Sequence, residues 1–277
     1  MKLRFSTLIG IILGLAAILG AFYMEGGAFA KLILPAPLLI VIGGTLMAGL
    51  ASSSWEVFSK MFLLIWKCFF PPELDKKKIA LQIVEYSLII RKFGVLSLED
   101  KLGKIENIYL KKFFQIGLDG GDDVAITENY EMDIEGITMR HSENIAFFNK
   151  LGGLSPTMGI IGTVLGLITT MGAAAEDANA NTLIANIAVA FLATLWGITL
   201  ANVVWIPIAD RLQTIHNDEI NIINMIFNGT KSIFAGDSPL VVISKLSSSY
   251  PLSDQAQFQR NAKSFVDKQK KLLKTDK

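Results

Sequence analysis

Leu151-Gly-Gly-Leu-Ser-Pro-Thr-Met-Gly-Ile-Ile-Gly-Thr-Val-Leu-Gly-Leu-Ile-Thr-Thr170 is the stretch whose reading decides the fold. It carries no charge and is long enough, with the residues that follow, to cross a hydrocarbon core of roughly 30 Å as a helix. Wound at 3.6 residues per turn, Pro156, Gly159, Thr163, Gly166 and Thr170 fall on one face at steps of three and four. Ile160, Ile161, Val164, Leu165 and Leu167 occupy the other faces. A face of glycines lets a second helix approach to backbone contact, so Gly159 and Gly166 are candidate packing residues.

The partner for that face is the next apolar run, about 183–208. Ala190, Thr194, Gly197 and Ala201 form a matching stripe there, with Phe191, Leu195, Trp196 and Leu200 on lipid-like faces. Small stripes occur wherever membrane helices pack, so Gly197 needs no further role. The hydroxyls are more specific. Thr163 and Thr194 place oxygens at mid-span, able to coordinate a cation or hold water beside a carboxylate, or to bond to their own helix backbone. Pro156 removes one helix hydrogen bond and permits a kink.

Outward from this pair lie two more apolar runs, about 5–23 and 32–51, which gives four transmembrane helices in an all-α membrane protein. Only 18% of residues are charged, against about 25% in a soluble domain, and they cluster between the apolar runs. The basic start at Lys2 and Arg4 and the Ala28-Phe29-Ala30 run resemble a leader with a cleavage site. The apolar run exceeds the ~7–15 residues of a leader core, which favours a retained span. Every Lys and Arg except Lys31 falls on the side that holds both termini and the long middle segment. Basic residues are retained inside, so that side is cytoplasmic and the membrane is the inner one.

The expected organisation is therefore spans over 1–52, a cytoplasmic helical domain over 53–150, spans over 151–210, and a cytoplasmic helix and basic tail over 211–277. Within the middle segment, Ile79, Leu81, Ile83, Val84, Leu88 and Ile89 recur at helical spacing. Helical periodicity continues over 96–117 beyond a break at Gly94, and 117–123 (GLDGGDD) is a turn before a helix over 127–149. The segment 61–70 is apolar but too short to span. The tail after 260 is strongly basic, which suits a solvated helix, a disordered tail, or contact with membrane lipid.

Several function classes drop out. The net charge of +1 gives no reason to expect nucleic acid, and Cys68 is the sole cysteine. No nucleophile–base pair, phosphate loop or cluster with metal spacing is visible, so neither an enzyme nor a cofactor or metal is expected. No span holds an ionisable residue in its core, although such residues mark ion pathways in membranes. Either the chain moves no ions, or the titrating carboxylate arrives on a partner's helix.

The run 156–167 (PTMGIIGTVLGL) resembles the third-span signature of the MotA/TolQ/ExbB proton-channel superfamily, and 190–198 (AFLATLWGI) resembles its fourth-span counterpart. Two spans before the large middle segment, the run 39–46 (LIVIGGTL), the run 90–100 (IRKFGVLSLED) and the run 205–212 (WIPIADRL) are similar to the MotA/PomA branch. The resemblance covers about 5–230. It implies the ring-forming subunit of an ion-driven flagellar stator, assembled as a pentamer around a single-span MotB/PomB-type subunit that carries the essential Asp. It also implies that Arg91, Lys92, Glu99 and Asp100 face the rotor protein FliG, that Pro156 and Pro207 serve torque generation, and that Thr163 and Thr194 line the path of H+ or Na+. A solvated helix face would equally explain Arg91 and Glu99. The choice of ion stays open, and so does an ExbB/TolQ-like energiser of another envelope process.

Overall fold

The computed structural model describes residues 6–72, 75–175 and 179–275. Lys2, Arg4, Phe5 and part of the 176–182 connection lie outside the described residues. The described residues are helical, with no strand among them. We number the main helices α1 (Ser6–Met24), α2 (Pro35–Ala51), α3 (Met61–Phe69), α4 (Lys76–Phe93), α5 (Ile108–Leu118), α6 (Asp123–Ala175), α7 (Ala180–Phe234), α8 (Pro239–Ser247) and α9 (Leu252–Thr275). The chain divides into two compact units, one from Met1–Pro72 and Met139–Ile215, the other from Glu73–Thr138 and His216–Lys277.

In the first unit, α1, α6 and α7 are long and apolar enough to cross a membrane. The window Thr7–Met24 has a mean hydropathy of 2.2 and none of it is buried within the chain. A helix apolar all round and left uncovered is suited to lipid. α2 is shorter than the expected run over 32–51, because the chain is still extended at Leu34 and the helix starts at Pro35. Proline fits that first position, where its missing N–H is not needed. The seventeen residues from Pro35 to Ala51 rise about 25 Å.

Two π turns interrupt this unit, at Leu39–Gly43 in α2 and Ala201–Trp205 in α7. The second has a local cause. Pro207 cannot donate to the carbonyl of Val203 and its ring crowds that carbonyl, so the ladder widens just before it. α2 packs on α6 through its glycines: a Cβ at Gly44 would lie 2.9 Å from Met158 Sδ, and one at Gly49 2.5 Å from Leu151 Cδ2. Lys150 Nζ donates to the Ser52 carbonyl at 2.6 Å. α3 is amphipathic rather than spanning. Met61, Leu64 and Cys68 are buried beside Phe147, Phe148, Leu151 and Ile208, while Phe62, Leu63 and Trp66 face out.

The second unit has its own core. Ile79, Ile83, Val84, Leu88 and Ile89 of α4 are buried against Leu110, Phe113 and Phe114 of α5 and Ile223, Ile226 and Phe227 of α7. Asp75 caps α4 by accepting from Lys78 N at 3.0 Å. Gly94 ends it at φ +83, a conformation in which a side chain is strained. The periodicity over 96–117 does not form one helix. A 3-10 turn (Val95–Leu98) and a short helix (Glu99–Leu102) come first. Asn107 then caps α5 by accepting from Leu110 N at 3.0 Å, and α5 runs to Leu118. A side chain that caps a new helix competes with continuation of the old one.

The tail is built into this core. Phe258, Ala262 and Val266 of α9 are buried and Phe265 packs beside them. Phe258 stacks on Tyr250 with ring centroids 4.5 Å apart. Ala262 and Val266 follow Phe258 at steps of four, and Phe265 follows it by seven, so one stripe of α9 is apolar while Lys263, Lys268, Lys270 and Lys271 are exposed. The expectation of a wholly solvated or disordered tail misses that stripe, because the surrounding charges dilute it.

Candidate functional site

The small faces of α6 and α7 meet as backbone on backbone. A Cβ at Gly159 would lie 2.9 Å from Ala193 O and 3.1 Å from Thr194 Cα. One at Gly197 would lie 2.7 Å from Ser155 O and 3.1 Å from Gly159 Cα. A Cβ at Gly166 would lie 2.6 Å from Ala190 Cβ. The three packing glycines read from the sequence are therefore all in the contact. Two partners were not foreseen: Gly162, where a Cβ would lie 2.5 Å from Ala193 Cβ, and Ser155, which is fully buried. Both follow from the same spacing, one step round the helix from Pro156.

Thr163 and Thr194 lie directly above the Gly159 contact and face each other across it. Their hydroxyls are hydrogen-bonded to each other. Thr163 Oγ1 is also within reach of the carbonyls of Gly159 at 3.1 Å and Ala190 at 3.2 Å, and Thr194 Oγ1 of the Gly159 carbonyl at 3.4 Å. Two hydroxyl protons and two close carbonyls make a compact cluster of oxygen acceptors at an otherwise apolar height. Both side chains are half-buried, so neither is sealed inside the pair. A third hydroxyl of this face, Thr170, is buried and donates to Gly166 O at 2.8 Å.

The outer faces of both helices are bare. Ile160, Ile161, Val164, Leu165, Ile168 and Met171 are exposed on α6, and Ile184, Phe191 and Ile198 on α7. Trp196 departs from the expected lipid-facing set. It is half-buried and its Nε1 donates to the Leu32 carbonyl at 2.8 Å, tying α7 to the entry of α2. An indole N–H in an apolar setting usually finds such an acceptor. Pro156 sits inside α6, half-buried at the edge of the contact, and Pro207 directly follows the π turn of α7. The polar Asn202, unremarked in the sequence because it carries no charge, donates to Ile198 O at 2.9 Å and is exposed.

The four charged candidates lie together in the second unit, around the turn at Gly94. Arg91 and Lys92 close α4, and Glu99 and Asp100 open the short helix that follows. All four are exposed. Lys92 Nζ lies over the Phe93 ring, 4.6 Å from its centroid. Cations at a helix end and acids at a helix start are each favoured by the helix dipole, so their signs alone do not require a partner. What the sequence pattern concealed is the apolar company they keep. Phe93 is 55% and Leu96 76% exposed on the same turn, held in place by Leu98, which is fully buried.

Comparison with known proteins is consistent across the chain. The model of the MotA/TolQ/ExbB proton channel family matches residues 103–225, and that of the motility protein A N-terminal region matches 8–92. Chemotaxis protein PomA of Vibrio alginolyticus is 30% identical, over 87% of this chain and 93% of its own. Motility protein A of Borreliella burgdorferi is 30% identical over 92% and 97% respectively. Motility protein A of Bacillus subtilis is 29% identical over 91% and 93%. Among solved structures, the chain is similar to the flagellar MotAB stator complex from Bacillus subtilis (TM-score 0.83, 29% identity, 91% of this chain and 99% of that one). It is similar also to C. jejuni MotAB (TM-score 0.85, 26% identity, 91% and 97%).

Proposed function

We infer from this premise, that the chain belongs to the MotA/TolQ/ExbB proton channel family, that it is the motility protein A-type subunit of a flagellar stator and not an enzyme. The match of the motility protein A N-terminal region over 8–92 favours this reading over an energiser of another envelope process. The observation that carries the mechanism is the α6–α7 contact: glycines at van der Waals limit below a pair of half-buried threonine hydroxyls, beside a bare apolar face.

We propose that α1, α2, α6 and α7 are four inner-membrane spans, with both termini and the second unit in the cytoplasm. Copies of the chain form a closed ring, a pentamer by family resemblance. The similar solved structures are MotAB complexes; here a single-span MotB/PomB-type partner lies against the α6–α7 wall and brings the carboxylate that these spans lack. A charged carboxylate is disfavoured in that low-dielectric setting, and the oxygens of Thr163 and Thr194 are the available polar neighbours. Binding H+ or Na+ neutralises the acid and changes which packing is preferred. Each cation that crosses supplies about 2.3 kcal/mol per 100 mV of potential. Pro156 and Pro207 place weak points in the hydrogen-bond ladders of the two helices, where such repacking can bend them.

Arg91, Lys92, Glu99 and Asp100 deliver the motion to the rotor protein FliG. Exposed pairs of this kind are individually worth about 0–1 kcal/mol, which suits contacts that are made and released at every step. The test is complementation of a cell lacking its stator genes with this chain and its partner. Glu99→Lys is expected to abolish swimming and to be rescued by a reversed charge on FliG. Undiminished swimming after neutralising all four residues would overturn the rotor assignment.

A further inference from the structure

We propose that the cleft between α1 and α7 in the first unit binds the phosphate of an anionic phospholipid. The proposal rests on reading α1 and α7 as membrane spans. The cleft has a volume of about 670 Å³ and lies between Thr7–Gly14 of α1 and Asn202–Thr214 of α7. A Cβ at Gly14 would lie 3.5 Å from Val203 Cγ1. Its lining changes character along its length. Gly10, Ile11, Gly14 and Val203 are apolar, whereas Asp210, Arg211 and Thr214 cluster beyond Pro207. One end therefore suits acyl chain and the other a headgroup.

Arg211 carries the argument. Its side chain is only 7% exposed, yet Nε donates to nothing better than the neutral carbonyl of Cys68, at 3.3 Å. Nη2 is shielded from solvent and has no acceptor among the described residues. No carboxylate pairs with it within 4.0 Å among them either. A buried guanidinium without a counter-charge is costly. The residue lines the cleft, Nη1 is not among the shielded atoms without an acceptor, and a guanidinium donor favours a phosphate oxygen as acceptor. Asp210 lines the same end and is exposed; its charge disfavours a dianion and leaves a singly charged phosphodiester as the better guest. By the proposed orientation this end lies at the cytoplasmic leaflet, where anionic lipid is available.

The complex of this chain with its partner, reconstituted in nanodiscs of mixed phosphatidylglycerol and phosphatidylcholine, tests the site. Lipid retained after detergent extraction is read by native mass spectrometry. The wild type is expected to retain phosphatidylglycerol selectively, and Arg211→Gln to lose at least about tenfold of that selectivity. Arg211 also holds the end of α3, so a second variant leaves it alone. Gly10→Phe projects a ring into the cleft, where a Cβ at Gly10 meets nothing within 4 Å, and is expected to lose retention equally. Wild-type retention in both variants would overturn the proposal. So would thermal protection of the wild type by inorganic phosphate without any preference between the two lipids, which would assign the cleft to free phosphate. Swimming of stator-deleted cells carrying the wild-type pair reports on the stator reading separately.

Discussion

Gly197→Ala adds one methyl group where the two central spans touch, and the structure allows its effect to be worked out. The new Cβ would lie 2.7 Å from Ser155 O and 3.1 Å from Gly159 Cα, both backbone atoms that cannot swing aside. Restoring an ordinary contact of 3.4 Å requires the helices to part by about 0.7 Å at this point. A gap of that size forfeits roughly a quarter to a half of each local dispersion contact, and overpacking of this kind costs about 1–3 kcal/mol. Water does not drive two helices together inside lipid, so lost packing is not replaced by burial. Against this, alanine is better than glycine in a helix by about 1 kcal/mol. Gly153→Ala and Gly172→Ala isolate that gain, because a Cβ at either position meets nothing within 4 Å in the chain. The purified complex is heated in detergent and unfolding is followed by tryptophan fluorescence. The two control variants should melt at or above the wild type, and Gly197→Ala below all three. If Gly197→Ala melts as high as Gly153→Ala, the helices are not in backbone contact and the reasoning fails.

Thr163→Val and Thr194→Val keep the shape of the contact and remove its oxygens; the complex should assemble and fold normally while ion-driven swimming falls at least about tenfold, and normal swimming in the double variant would remove these hydroxyls from the path. Phe258→Ala empties a buried position in the second unit and should cost about 3–5 kcal/mol, seen as rapid proteolysis of the tail in the purified complex. Lys245 and Ser232 both hydrogen-bond Asp237, Lys245 at 2.5 Å, and hold its carboxyl below its ordinary 3.8. A depressed folded value stabilises above the ordinary value and loses that stabilisation as pH falls through the folded one. Asp237→Asn should therefore flatten the acid limb of the melting temperature below pH 3.8 and leave it otherwise similar in shape.

What the sequence disclosed was what periodicity can carry. Gly159, Gly166 and Gly197 were legible because small residues at helical spacing have one common use in membranes. Thr163 and Thr194 were legible as oxygens at mid-span, but their mutual bond was not, since it depends on how far two separate helices rotate toward each other. Ser155 and Gly162 were overlooked by centring the face on Pro156. The second unit shows the same limit. The stripe on α4 was plain, whereas the stripe on α9 hid among charges, and the break between Leu102 and Ile108 was masked by apolar residues that continue the count across it. Arg211 was counted as the first residue of the cytoplasmic tail, because burial of a cation is a property of what surrounds it.

The π turns at Leu39–Gly43 and Ala201–Trp205 have a consequence for any count of residues along these helices. A π turn accommodates one residue more than an α turn, and one residue is about 100° of azimuth at 3.6 per turn. The side of α7 that carries Ala190, Thr194 and Gly197 is thus out of phase with the side that carries Ile208 and Leu212. Uniform winding would return Ile208 to the azimuth of Ala190 and Leu212 to that of Thr194; the extra residue turns both off that line, and there they are buried beside Phe147, Phe148 and Leu151. Excising one residue from 201–205 would return the helix to uniform winding and turn one half of its surface away from its neighbours.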